Sequence, residues 1–211
     1  MMDIEAIRSG KIQDLAGADL EDENLAQAQL EKANLNGANL VGVDLSHSNL
    51  QSAYLNGANL LGSNLVKADL RASLIGVNLT QANLEGADLR GSNLRGANLM
   101  GATLSRISLA GAFLSGANLS EANLQGGDLR GSDLRGVNLQ GANLKGANLA
   151  DAELQGANLA GANLEEADLR GANLAGANLE SANLLCAEVD RVNFKGANLG
   201  KTCLVGTQVE S

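Results

Sequence analysis

Proline and tryptophan are absent from the chain, and one tyrosine and two phenylalanines are its only aromatic residues. A core packed from large rings is therefore excluded. Histidine occurs once, at His47, and cysteine twice, at Cys186 and Cys203. That is too little for a disulfide framework or a Cys/His zinc cluster, so neither metal nor cofactor is expected. No apolar run approaches the roughly 18 residues of a membrane span. The opening residues Met1 to Glu5 carry neither a basic leader nor an apolar segment, and a soluble, cytoplasmic protein is expected. Fifteen basic residues stand against 24 acidic ones, a net charge of −9, which argues against direct binding of nucleic acid or an anionic membrane. Walker loops, GxGxxG fingerprints, nucleophile elbows and metal-ligand spacings are all missing, so no catalytic residues and no enzymatic activity are expected.

What the 211 residues do contain is a repeat. Leucine recurs every fifth residue from Leu15 to Leu70, twelve centres, and the series resumes at Leu74 for twenty-eight more. Only Val189, Phe194 and Val209 replace leucine at a centre. Two residues before the centre, alanine stands in 26 of the forty repeats, and one before it, Asn or Asp stands in 30. Two after the centre, glycine appears 23 times.

A period of five fits no helix, because five residues advance by about 500° and the leucines would wander round the cylinder. In an extended segment, side chains alternate between two faces. The alanine and the leucine then point inward, and the Asn/Asp and the variable residue point outward. The glycine falls in the third place of a four-residue turn, where type II geometry needs a positive φ. A chain that bends every five residues in one sense becomes a coil, and coils stacked about 4.8 Å apart place each leucine over the next. Spacing alone leaves three or four sides per coil open.

These tandem motifs, Ala-Asn-Leu-x-Gly and Ala-Asp-Leu-x-Gly, resemble the pentapeptide repeat proteins, and the resemblance covers nearly the whole chain. It implies an all-β fold, a right-handed quadrilateral β-helix with one pentapeptide per side. Forty repeats would make about ten four-sided coils and a rod of ~48 Å. The runs of Ala-Asn-Leu look most like the leucine-centred members found in cyanobacteria, some of which are implicated in control of cell differentiation. Other members shield type II topoisomerases by imitating a DNA duplex. Over ~48 Å, DNA presents roughly 28 charges, whereas this chain has a net of −9. Topoisomerase-directed members also look richer in phenylalanine at the centre, where this chain has only Phe194. The reading preferred here is a rigid scaffold for an unidentified protein partner, with the DNA mimic as the alternative.

The departures from the repeat are informative. Residues 1–11 are expected to form a capping helix, N-capped by Asp3 and ending near Gly10, ahead of a β-helix over 12–211. Gln13 and Glu23 take inward positions, which predicts irregular first coils. The step from Leu70 to Leu74 is four residues and predicts one tightened corner. No helix is expected after Leu204, so the last coil is frayed or pairs with a second copy as a homodimer.

Counting modulo four places Val41, Leu61 and Met100 outward on one side, interrupted by Thr80, with Tyr54 and Ile75 on an adjoining side. These five residues form the candidate partner surface. Arg71, Arg90, Arg130 and Arg170 fall on one side and Arg95, Arg135 and Lys195 on the next. Aspartates precede five of the arginines by two residues, which predicts surface ion pairs Asp69–Arg71, Asp88–Arg90, Asp128–Arg130, Asp133–Arg135 and Asp168–Arg170. Cys186 and Cys203 are expected to be free thiols, and His47 a solvated turn residue.

Overall fold

The computed structural model describes residues 3–207. Met1, Met2 and the expected repeat centre at Val209 lie outside the described residues. Each outward Asn/Asp position forms a parallel bridge with its counterpart four repeats away, as in Asp14 with Asn34 and Asn118 with Asn138. A coil thus holds four pentapeptides, which closes the choice between three sides and four. Face 1 runs from Asp14 to Asn193, face 2 from Asp19 to Asn198, face 3 from Asn24 to Cys203 and face 4 from Gln29 to Glu188.

Backbone hydrogen bonding explains why five residues suffice for one side. In the repeat centred on Leu119, Ala117 N–H donates to the preceding centre Leu114 across the turn, at 2.9 Å. Asn118 N–H reaches back to Ala97, and Leu119 and Glu121 N–H reach forward to Asn138 and Gln140. The one N–H left over, that of Ser120, donates to Asn118 Oδ1 at 3.1 Å. The Asn/Asp preference before the centre thus satisfies the only backbone donor that neither turn nor stacking can reach.

The corners are type II turns. Their third residue has a positive φ whether it is glycine, as at Gly57 (+64°), or not, as at Gln81 (+57°). Between faces 1 and 2 that residue is glycine in every coil, from Gly17 to Gly196. Inside, the central leucines and the small residues two before them form one continuous buried column from Leu15 to Val189.

The four-residue step leaves a different corner between Leu70 and Leu74. The bridges spanning it close over nineteen residues, as in Tyr54 with Ser73 and Asp69 with Asp88. No left-handed residue occurs there. With that residue missing, Ala72 N–H, the Leu70 carbonyl and the Arg90 carbonyl have no backbone partner. The corner is shortened, and the stacking continues across it.

At the start of the chain, α1 spans Ile4–Arg8, with Asp3 as N-cap accepting from Ala6 N–H at 3.0 Å. Ile7 is fully buried, and the Arg8 carbonyl accepts from Gln29 N–H at 2.8 Å. The irregular first coils expected from Gln13 and Glu23 are not found. Gln13 O accepts from Asn34 N–H and Glu23 O from Asp44 N–H, in the same pattern as later coils. Both side chains find solvent instead of the core, so the backbone had no reason to deviate.

Candidate functional site

The central leucines and small residues fill the interior, so the outward side chains are the ones that solvent or a partner meets. Among the described residues no helix is long and apolar enough to cross a membrane, and no three His, Cys, Asp or Glu side chains converge as metal ligands. Cys186 and Cys203 are free; Cys186 occupies a positive-φ corner of face 3, and Cys203 stacks on Asn183. His47 is exposed at another corner of face 3.

Asparagine ladders cover most of faces 2 and 3. On face 2, Asn118, Asn138, Asn158, Asn178 and Asn198 each donate Nδ2–H to Oδ1 of the asparagine one coil earlier, at 3.0–3.2 Å. The direction is uniform, so a ladder's first residue need only accept. Aspartate stands in that place at Asp14, Asp19 and Asp44, each receiving an asparagine amide.

Face 4 carries four arginine–aspartate forks. Arg90 Nε and Nη2 bond the two oxygens of Asp88 at 2.8 and 2.6 Å, and Arg130 and Arg170 hold Asp128 and Asp168 in the same way. Arg71 does so with Asp69 and also lies 3.7 Å from Asp88. Arg135 and Asp133 form the same fork on face 1. In each fork the guanidinium hydrogen bonds hold the aspartate below the usual carboxylate range, against a burial effect that would raise it. Paired in this way, these acids are not the free negative charges that an imitation of DNA requires.

The apolar residues depart from this regular polar surface. Val41, Leu61 and Met100 occupy the variable row of face 2, with Thr80 between Leu61 and Met100. Tyr54 and Ile75 lie on face 1, across the all-glycine corner. Leu61 is 36% exposed, Met100 42%, Ile75 44% and Tyr54 51%. Phe113, 41% exposed on face 1, belongs with them and was not singled out in the sequence. Its signal was available: it fills an Asn/Asp position in a chain with two phenylalanines. The Arg95 guanidinium sits over its ring, 4.7 Å from the centroid.

Comparison with known proteins places this architecture. The family model for pentapeptide repeats matches residues 14–46, 38–73, 71–106, 97–136, 132–171 and 172–207. The chain belongs to the pentapeptide repeat family, whose members fold as right-handed quadrilateral β-helices. It is 34% identical to HetL, a pentapeptide repeat protein involved in heterocyst differentiation regulation from the cyanobacterium Nostoc sp. strain PCC 7120. That match covers 90% of this chain and 89% of HetL, with a TM-score of 0.47. Rfr23 from the cyanobacterium Cyanothece 51142 is 30% identical over 66% of this chain and 88% of its own, with a TM-score of 0.23. A trypsin-treated variant of QnrB1, a plasmid-mediated fluoroquinolone resistance protein, shares the fold at 20% identity. There the coverage is 85% of this chain and 89% of QnrB1, with a TM-score of 0.56. No curated protein matches the chain.

Proposed function

We propose that this protein is a non-enzymatic, cytoplasmic scaffold for protein–protein interaction with a regulatory role, of the kind named for HetL in control of cyanobacterial cell differentiation. One observation carries the reading. Against a wall of asparagine ladders and paired charges, the exposed Leu61, Met100, Tyr54 and Ile75 and the half-buried Val41 gather on two adjoining faces in neighbouring coils. Contiguous apolar surface of this kind favours a partner over solvent.

The ends of the rod fit the same reading. The N-terminal segment containing α1 acts as a lid on the first coil of the β-helix, supported by the buried Ile7. The reading extends to a homodimer in which two copies pair edge to edge through the C-terminal coil.

The test is capture from a cyanobacterial soluble lysate by the wild type and by the Val41/Leu61/Met100→Asp variant, with bound proteins identified by mass. Loss of a wild-type partner in the variant supports the scaffold and locates its face. Salt-sensitive capture of a type II topoisomerase by both would put the acidic rod, and DNA mimicry, first.

A further inference from the structure

Arg71, Arg90, Arg106, Arg130, Arg135 and Arg170 each have a carboxylate within ion-pair distance, whereas Arg95, like Arg191, has none among the described residues. The reason lies two residues earlier. The forks at Arg90 and Arg135 form because aspartate occupies the position before the centre, whereas Arg95 has Asn93 there, which offers a single neutral acceptor at 3.2 Å. Its guanidinium lies over the Phe113 ring, and its Nε and Nη2 groups have no side-chain acceptor among the described residues.

The surroundings give this cation a defined setting. On face 1 the outward positions before successive centres are Tyr54, Ser73, Asn93 and Phe113, and those after them are Asn56, Ile75, Arg95 and Ser115. Tyr54 and Phe113 stand three coils apart, about 14 Å, with the smaller Ser73 and Asn93 between them. Ile75 and Arg95 line the side toward the glycine corner, where Gly76 and Gly96 place no side chain between this trough and solvent. Its length matches about four residues of extended chain.

We infer that this trough on face 1 seats a partner-protein segment presenting one carboxylate between apolar side chains. The carboxylate takes the open edge of Arg95 in the bidentate geometry used by the neighbouring forks. The flanking apolar groups lie against Ile75 and the rings of Tyr54 and Phe113. Charge complementarity selects this occupant: a basic segment would be repelled by the Arg95 guanidinium, and a purely apolar one would strip it of solvent without a counter-ion in contact. The inference rests on the scaffold reading and names the chemistry that face 1 recognises.

The experiment is selection of phage-displayed linear dodecapeptides on the full-length protein, with Arg95→Gln as counter-bait after its thermal midpoint is checked against wild type. The expected pool is enriched in Asp or Glu flanked by apolar residues. A peptide synthesised from it should bind Arg95→Gln at least about tenfold more weakly, a difference of about 1.4 kcal/mol. It should also lose affinity in Phe113→Asn. No enrichment, an enriched pool without acids, or equal binding to Arg95→Gln overturns the inference. So does concentration-dependent self-association that Arg95→Gln abolishes, since a second copy would then fill the trough. The two readings separate in the lysate capture. A partner retained by Arg95→Gln but lost with the face 2 triple variant leaves the scaffold standing without this trough, whereas a failure of every bait to capture anything counts against the scaffold itself.

Discussion

Ile107 and Gly127 stack in adjacent coils of face 4, the one isoleucine at an inward small-residue position covered by the one glycine. A Cβ built on Gly127 would come 3.3 Å from Ile107 Cγ2 and 3.1 Å from the Leu124 carbonyl oxygen. The column tolerates a large side chain at this position only because its neighbour above has none. Packing in this fold is therefore conserved between coils, over pairs of repeats, as well as within each repeat.

Gly127→Ala should destabilise the protein by about 1–3 kcal/mol, the cost of overpacking. Ile107→Ala alone should cost about 2–5 kcal/mol through the cavity it leaves. In the Ile107→Ala background, Gly127→Ala should be neutral or favourable. Urea midpoints of the four proteins measure the coupling, and equal effects of Gly127→Ala in both backgrounds would show that the two positions are independent.

Asn56 takes on a task that the repeat normally assigns elsewhere. Where Ser73 replaces the usual Asn or Asp, the leftover N–H of Ile75 donates to Asn56 Oδ1 at 3.0 Å, and the Ser73 hydroxyl donates to the same oxygen at 2.7 Å. Asn36 does the same for Asn56 N–H, where Tyr54 stands in the usual position. Asn56→Ala should therefore cost about 0.5–1.5 kcal/mol, because it removes the acceptor of two donors at a site that water only partly reaches. Ser115→Ala, a control in the same row with no such bond, should stay within about 0.5 kcal/mol. Thermal midpoints compare the two, and a difference smaller than measurement error would remove the relay from the stability of this coil.

The leucine period of five was enough to read the solenoid, the inward column and the type II corners, because each follows from side-chain alternation and one positive φ per repeat. The ion-pair partners were legible for the same reason, since residues two apart in a strand share a face. The relay through Asn36 and Asn56 was not, because it arises where Tyr54 and Ser73 replace the usual Asn or Asp, and which side chain of the adjacent coil then serves the leftover N–H depends on side-chain reach and not on the period. Arg95 and Phe113 were hidden in the same way: they lie eighteen residues apart in the chain and meet across adjacent coils. Gln13 and Glu23 misled because, in a first coil whose other inward residues Ala18 and Ala28 are buried, Gln13 is exposed and Glu23 half-buried, and the backbone bonds as in later coils.

The short corner at Arg71 and Ala72 is the weakest point in the hydrogen-bond pattern. A single glycine inserted between them would supply the missing left-handed residue. The Ala72 N–H could then reach the Leu70 carbonyl, and the new N–H could reach the Arg90 carbonyl. Two bonds of about 0.5–1.5 kcal/mol each should be gained, less the conformational cost of the added glycine. In the natural chain, Ala72 N–H should exchange with solvent faster than Ala53 or Ala97 N–H, which are bonded across their turns. In the insertion variant all three should be protected alike. Equal protection in the natural chain would mean that the corner is closed in another way.

Acid should find the arginine–aspartate forks first. Asp128 and Asp168 are held below the ordinary carboxylate value mainly by the hydrogen bonds from Arg130 and Arg170. A carboxylate lowered in the folded state contributes stability that is fully present above its unfolded pKa of about 3.9 and is lost as pH falls through the lower folded value. The arginines of the forks are open to solvent, so screening leaves each fork a small contribution. The double variant Arg130→Gln/Arg170→Gln should therefore be slightly less stable than wild type at neutral pH. Its urea midpoint should also fall less steeply below about pH 4, and the two proteins should converge once the pH lies below the lowered folded value, where both aspartates are protonated in either state. A gap that persists at low pH would assign the arginines a packing role along face 4 in place of an electrostatic one, through the aliphatic stems that lie against the wall.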